Sequence, residues 1–384
     1  MLRNLGTSRG CVALLLIATL AGCAVQPPRA PDEPPVTVPV RPPAVSDAPA
    51  PAPSLADTDI HISAVGDIML DGTSRPVLQE YGYDYPFSNM RALFQHSQVV
   101  IGNLEGPLTT RGTAQQDKTY TFRSPPDKVS RALARAGFNV VTLANNHTLD
   151  YGADGLAETI AALDEAGIQH VGAGPNLAAA RRAALLTING QRLAFLGYSV
   201  TLPETFYATS TRPGTAFAYE EQVRADVSAA RAQADIVIVS FHWGQEGKTE
   251  LRDYQPRLGH IAIDAGAQVV LGHHPHILQA VEHYKDGLIL YSLGNFTFGS
   301  YSKKATRSAV AQLTFSHGRV TALRMVPILV DNFEVQFQPR VLAGPEADAV
   351  ITTLQQLSAL RHTSLENVAG AAQLLVPQTT ARAP

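Results

Sequence analysis

Apolar residues along this chain fall into short runs, and five of the runs end on a polar cluster. Residues 60–65 (IHISAV) alternate as a half-buried strand does and pass directly into Gly66-Asp67. Residues 99–104 form a second run, closing on Gly102-Asn103-Leu104-Glu105. A third, 140–144, meets Asn145-Asn146-His147, and a fourth, 236–241, meets His242-Trp243-Gly244. The fifth, Val269-Val270-Leu271, stops at Gly272 and hands over to His273, His274 and His276. Helical periods separate these runs, over 127–136, 156–166, 220–233 and 257–265. Asn189-Gly190 between two apolar runs predicts a hairpin with a tight I′ turn. Beyond Gly299 the pattern turns β-rich, with strands expected over 309–315, 320–326 and 333–337, then a helix over 348–360 and a Pro/Thr/Ala tail.

The strand ends change the picture from fold to chemistry. Side chains at the ends of strands in an α/β sheet converge on one rim. Asp67, Glu105, Asn146 with His147, His242, and His274 with His276 would therefore meet. All their donors are nitrogen or oxygen, a set that suits a hard or borderline divalent cation such as Zn, Mn, Fe or Mg. Pro275 has its φ fixed at about −65° and biases His274 towards an extended backbone, so the histidine loop is expected to be stiff. The plainer alternative is a loop of half-buried histidines bonded to backbone carbonyls.

Composition places the chain among globular proteins, with 384 residues, 45% hydrophobic and 16% charged. Formal charge is −3, and −5 once residues 1–22 and their Arg3 and Arg9 are removed. That balance leaves no electrostatic footprint for nucleic acid. An acidic partner would need a local basic patch, for which Arg252 with Arg257, or Lys303, Lys304 and Arg307, are the candidates in the sequence. Arg3 and Arg9 precede an apolar run over 11–20, too short to span a membrane and typical of an export signal. Leu20-Ala21-Gly22-Cys23 then resembles a bacterial lipobox, which implies acylation of Cys23. Cys11 would leave with the signal, so no disulfide is expected in the mature chain. From 26 to 57 Pro, Ala and Val dominate (PPRAPDEPP, APAPAP), the composition of an extended polyproline spacer.

Six blocks in order, AVGDIML, GNLEGPLT, LANNHTLDYG, FHWGQE, GHHPHILQ and YSLGNFTF, are similar to the signature of CapA (PgsA) capsule-synthesis proteins, associated with poly-γ-glutamate. That family in turn resembles calcineurin-like metallophosphoesterases. The resemblance implies an α/β fold, a four-layer αββα sandwich of metallo-dependent phosphatase type, with an additional C-terminal β-rich segment. The expected organisation is a lipoprotein signal peptide over 1–22, an acylated Cys and Pro-rich linker over 23–57, and a CapA-type metallophosphatase-like domain over 58–300. A β-rich extension packed on that domain would follow over 301–362, and a tail over 363–384.

Carried over residue by residue, the resemblance implies that Asp67, Glu105 and His276 bind a first metal. Asn146, His242 and His274 would bind a second, with His147 as general acid. Asn145, Asp150, Glu246 and Asn295 would stand behind the ligands and orient them. Met69 occupies the place of the histidine in the phosphoesterase Asp-x-His motif, and Glu105 that of an aspartate, as in the CapA form. One or two divalent ions are expected. The expected role is a cell-envelope lipoprotein, on the outer membrane facing periplasm or surface, with a hydrolase- or transferase-like site for an anionic polymer such as poly-γ-glutamate. Other capsule-synthesis membrane proteins are candidate partners. Two alternatives stand beside it: a non-enzymatic scaffold for polymer synthesis or export, and a periplasmic metallophosphoesterase acting on an unrelated phosphoester.

Overall fold

The computed structural model describes residues 59–376. The signal expected over 1–22, Cys23 and the linker over 23–57 lie outside the described residues, as does 377–384. The larger sheet runs in the order β17 (Glu366–Val368), β18 (Ala371–Leu375), β15 (Arg319–Leu329), β14 (Arg307–Ser316), β1 (Ile60–Met69), β2 (Val99–Leu104), β3 (Val140–Thr142), β4 (Gln169–Val171). β13 (Asn295–Phe298) also pairs with β1, and β16 (Arg340–Val341) with β15. The second sheet runs β11 (Val281–Tyr284), β12 (Gly287–Leu290), β10 (Val269–His273), β9 (Ile236–His242), β7 (Gln191–Ser199), β6 (Ala184–Ile188). A short pair joins β5 (Ala173–Gly174) to β8 (Gly214–Thr215).

β1 to β4 are mutually parallel, as are β7, β9, β10 and β12. Parallel strands are buried on both faces, which is why their sequences read as near-continuous apolar runs. Helices make the crossovers: Pro126–Ala136 between β2 and β3, Gly152–Glu165 between β3 and β4, Glu220–Arg231 and Tyr254–Asp264 on either side of β9. The first shows why the sequence stops and starts where it does. Pro126 opens it, Asp127 and Arg135 suit its dipole, and Gly137 closes it in the left-handed region at φ 100°.

Three apolar clusters show how the layers meet. Ile60, Ile62, Val99 and Ile101 of the larger sheet share one cluster with Phe195, Ile236, Ile238, Val269 and Leu271 of the second. On its other face the larger sheet offers Val65, Ile68 and Val100 to Val129, Leu133, Leu156 and Leu163 of two helices. The second sheet likewise offers Val237, Val239 and Val270 to Val223, Val227, Leu258 and Ala262. The protein is thus a mixed α/β structure built on two sheets.

The C-terminal part differs from expectation in three ways. Residues 307–316 do not form an add-on: β14 pairs antiparallel with β1, so the β-rich extension completes the main sheet. The strand expected over 333–337 is a helical turn, Asn332–Val335. Asp331 accepts from the Phe333 amide and Gln336 turns left-handed at φ 48°, so local capping overrides the alternation of FEVQF. Within the expected tail, β17 and β18 form a hairpin on the sheet edge, where Ala371 and Ala372 are fully buried.

Candidate metal centre

Strand parity decides which side chains face the space between the sheets. On β2, Val99, Ile101 and Asn103 share one face, and on β9 so do Ile236, Ile238, Ser240 and His242. On β10, His273 follows Val269 and Leu271. On β1 the same parity would turn Asp67 away. Register against β2 slips there, with Ala64 opposite Ile101 and Asp67 opposite Asn103, so β1 carries one extra residue. This bulge returns Asp67 to the inner face. Gly66 sits in it because an added Cβ would lie 1.9 Å from the Gly294 carbonyl oxygen. Asp67 is also in register with Asn295, and His242 with His273. The apolar interior of the two sheets therefore ends, at one rim, in a buried polar cluster.

Asp67 is at its centre and fully buried. One carboxylate oxygen accepts from Asn103 Nδ2 at 2.8 Å and lies 3.4 Å from His273 Nδ1. The other is 3.2 Å from His276 Nδ1 and accepts from the His274 amide at 3.3 Å. Ligand atoms of Asp67, Glu105 and His276 all lie within 4.8 Å of one another, and so do those of Glu246, His274 and His276. Glu246 is exposed and stands with the histidines rather than behind them. Asn295 Oδ1 is 2.9 Å from His276 Nδ1. His242 Nε2 is 2.8 Å from Asn146 Oδ1, and its ring centroid is 4.8 Å from that of His274. The backbone of the histidine loop is not extended as Pro275 would favour: His274 has φ 96° and His276 φ 60°. Such values are uncommon for a residue with a Cβ.

His147 approaches from the end of β3. Its Nδ1 is 2.7 Å from Asp150 Oδ2, and its Nε2 is 3.9 Å from Glu105 Oε1. Asn145 holds the turn, accepting from the His147 amide at 3.0 Å and donating to Asn103 Oδ1 at 3.0 Å. Asp150, also fully buried, takes the Phe122 amide at 2.8 Å and the Lys118 ammonium.

Charge is distributed unevenly over this cluster. Burial would raise Asp67, but the neighbouring His273 and His276 imidazoles hold it well below the usual carboxylate range. Glu105 is pushed well above that range by burial, with Asp67 adding to the effect against the pull of His276. Burial keeps His242 well below the ordinary histidine value and takes His274 down to about 3. Burial opposes charge at His276 too, yet the facing carboxylates of Glu105 and Asp67 raise it to about 10. Buried polar atoms are nearly always bonded. Here Glu105 Oε1, His274 Nδ1 and both ring nitrogens of His273 have no hydrogen-bond partner. Unbonded donors, neutral imidazoles and an imidazolium wedged between two carboxylates fit a centre built for a divalent cation.

Three residues in this network carry no sequence signal that singles them out. Asn103 touches Asp67, Glu105, His242 and Asn145 at once, yet a lone Asn in a strand reads as a weak strand former. His273 was legible as a histidine but not as one that stands 3.4 Å from Asp67 on the inner face. Lys118 reaches in from the irregular segment between β2 and the Pro126–Ala136 helix, to the Asn146 carbonyl and to within 3.2 Å of His147 Nδ1.

Fold and site together define a mixed α/β protein with a histidine–carboxylate centre, suited to a metal, on the rim between two sheets. The description "Bacterial capsule synthesis protein PGA_cap" matches residues 61–300, and the chain belongs to that family. It is 34% identical over 293 residues to "Capsule biosynthesis protein CapA" of Bacillus anthracis, covering 75% of this chain and 71% of that protein. Against "PGA biosynthesis protein CapA" of Bacillus subtilis the identity is 34% over 275 residues, 71% of this chain and 72% of the relative. Among solved structures, the NAD nucleotidase of Haemophilus influenzae is similar at 12% identity and TM-score 0.46, over 78% of this chain and 56% of that one.

Proposed function

We propose that this capsule-synthesis protein holds one or two divalent cations at the rim and there cleaves or transfers an anionic polymer such as poly-γ-glutamate. The observation that carries the reading is the convergence of Asp67, Glu105, His276, His274 and Glu246 around buried nitrogen and oxygen atoms that have no partner. We further propose a four-layer αββα arrangement of metallo-dependent phosphatase type, supported by one apolar cluster between the sheets and one outside each. Asp67, Glu105 and His276 would hold a first ion. His274 and Glu246 would hold a second, joined by His242 and Asn146 if their mutual bond opens. The nitrogen and oxygen donors suit Mn, Zn, Fe or Mg. When bound, such a cation supplies Lewis acidity, polarising a phosphoryl or acyl oxygen and making water nucleophilic near neutral pH.

The rest is the work of this chain. His147 Nδ1 donates to Asp150, which fixes the ring and leaves Nε2 directed towards Glu105 and the centre. Burial lowers the His147 pKa against the pull of Asp150, so a proton on Nε2 is readily given to a leaving oxygen or nitrogen. Asn103 and Asn145 hold the two carboxylates and the His147 turn in one frame. With full-length protein loaded with Mn or Zn, His147→Asn should leave metal content unchanged. It should lower turnover of poly-γ-glutamate, or of an aryl phosphate, by about 10²–10⁴-fold. Unaltered turnover in the loaded variant would remove His147 from the mechanism. Turnover of neither substrate by the parent protein would favour the scaffold reading.

A further inference from the structure

We propose that a basic groove beside the rim centre is the seat of the polycarboxylate chain, an inference that rests on the polymer reading above. Two hollows of about 550 and 320 Å³ share Gln79, Tyr83 and Pro125 in their walls and so form one groove. Its cations come from three stretches of sequence: Arg75, then Arg123, then Lys128, Arg131 and Arg135 on one helix. The carboxylates lining it are Asp71 and Asp127. Asp71 is buried and already taken by the Arg75 guanidinium and the Arg123 amide. Arg131 meets Glu165 at 3.2 Å in an exposed pair, which is weak and open to exchange for another anion, whereas Arg135 holds Asp84 by two hydrogen bonds of 2.9 and 2.7 Å. Lys128 makes no ion pair among the described residues, and the Arg123 guanidinium lies over the Tyr151 ring at 4.7 Å.

Position ties the groove to the centre. Arg123 follows Phe122, whose ring lies 4.8 Å from that of His147. Leu70 and Asp71 continue β1 just beyond Asp67, and Thr109 and Thr110 follow Glu105. Loops that carry the centre therefore wall the second hollow, and the helix Pro126–Ala136 continues the groove into the first. A small anion would satisfy one cation; an extended chain of carboxylates spans both hollows and meets several. The two patches legible in the sequence, Arg252 with Arg257 and Lys303 with Lys304 and Arg307, line neither hollow.

The test is binding of poly-γ-glutamate of defined length to the metal-loaded full chain, followed by fluorescence anisotropy at two ionic strengths. The triple variant Arg123→Glu, Lys128→Glu, Arg131→Glu should bind about tenfold more weakly and with a shallower salt dependence. The control Arg224→Glu, on the Glu220–Arg231 helix that packs on the second sheet, should stay within about twofold of the parent, since it lines neither hollow. Should the triple variant fail to fold by circular dichroism, Lys128→Gln alone, on an exposed helix face, should still weaken binding by about twofold to threefold. A folded triple variant that binds like the parent overturns the groove while leaving the polymer reading intact, as does equal loss in Arg224→Glu. No binding by the parent overturns both.

Discussion

His276 concentrates the electrostatics of the site, because it faces two buried carboxylates and is raised to about 10 while His274, two residues earlier, falls to about 3. These opposed shifts predict how the metal-free protein responds to pH. His147, His242 and His274 bind protons less tightly folded than unfolded, so below the free value of 6.5 the unfolded chain takes up more protons. Their effect makes stability rise with pH up to 6.5. Glu105, raised above 4.5, and His276, raised above 6.5, act in the other sense: the folded chain keeps the proton, and stability falls as pH climbs, for His276 until about 10. Those three histidines, with His170 lowered by burial in the same sense, stand against Glu105 below 6.5, and no histidine stands against His276 above it, which places the maximum near 6.5. Each proton of imbalance is worth about 1.4 kcal/mol per pH unit. Urea unfolding of chelator-treated protein from about pH 4 to 9 should trace that peak; a flat or monotonic profile would contradict the assigned charges. At this scale the histidines and Asp67 were legible because each follows an apolar run. Asn103 and Lys118 were not, because their roles depend on contacts with residues 28 to 139 positions away.

The bulge in β1 is the device by which an ordinary strand delivers a carboxylate to the inner face. Alternation in IHISAV identifies the strand, but parity alone sends Asp67 to the helix side, beside Val65 and Ile68. The extra residue could not be read from the sequence, since nothing but the neighbouring Gly294 backbone explains why Gly66 must lack a Cβ. Gly66→Ala should therefore cost about 1–3 kcal/mol or more and weaken metal binding with it, measured by urea unfolding and metal titration. An alanine variant as stable as the parent, with unchanged affinity, would show that the bulge does not position Asp67. Elsewhere the strands and crossover helices followed their periodicity closely, and the Asn189-Gly190 hairpin formed with both residues at positive φ. The misses are where local capping or small residues disguised the pattern, at Asn332–Val335 and at β18.

The whole molecule combines a family-defining α/β body with an N-terminal stretch that carries Leu20-Ala21-Gly22-Cys23. We propose that Cys23 anchors the protein to the outer membrane and that the Pro-rich 26–57 segment spaces the body from it. Cys23→Ser should then release the protein from membranes or block its processing; a variant still acylated and membrane-bound after a carbonate wash would contradict the anchor. Such an anchored body would meet polymer along the basic groove and act on it at the rim. That account stands or falls on the centre itself. Elemental analysis of the purified, dialysed protein tests it most directly. The account predicts one to two equivalents of a divalent cation, with at least one lost in His274→Ala while circular dichroism is unchanged. A folded protein that takes up no divalent cation even at about micromolar concentration would contradict it.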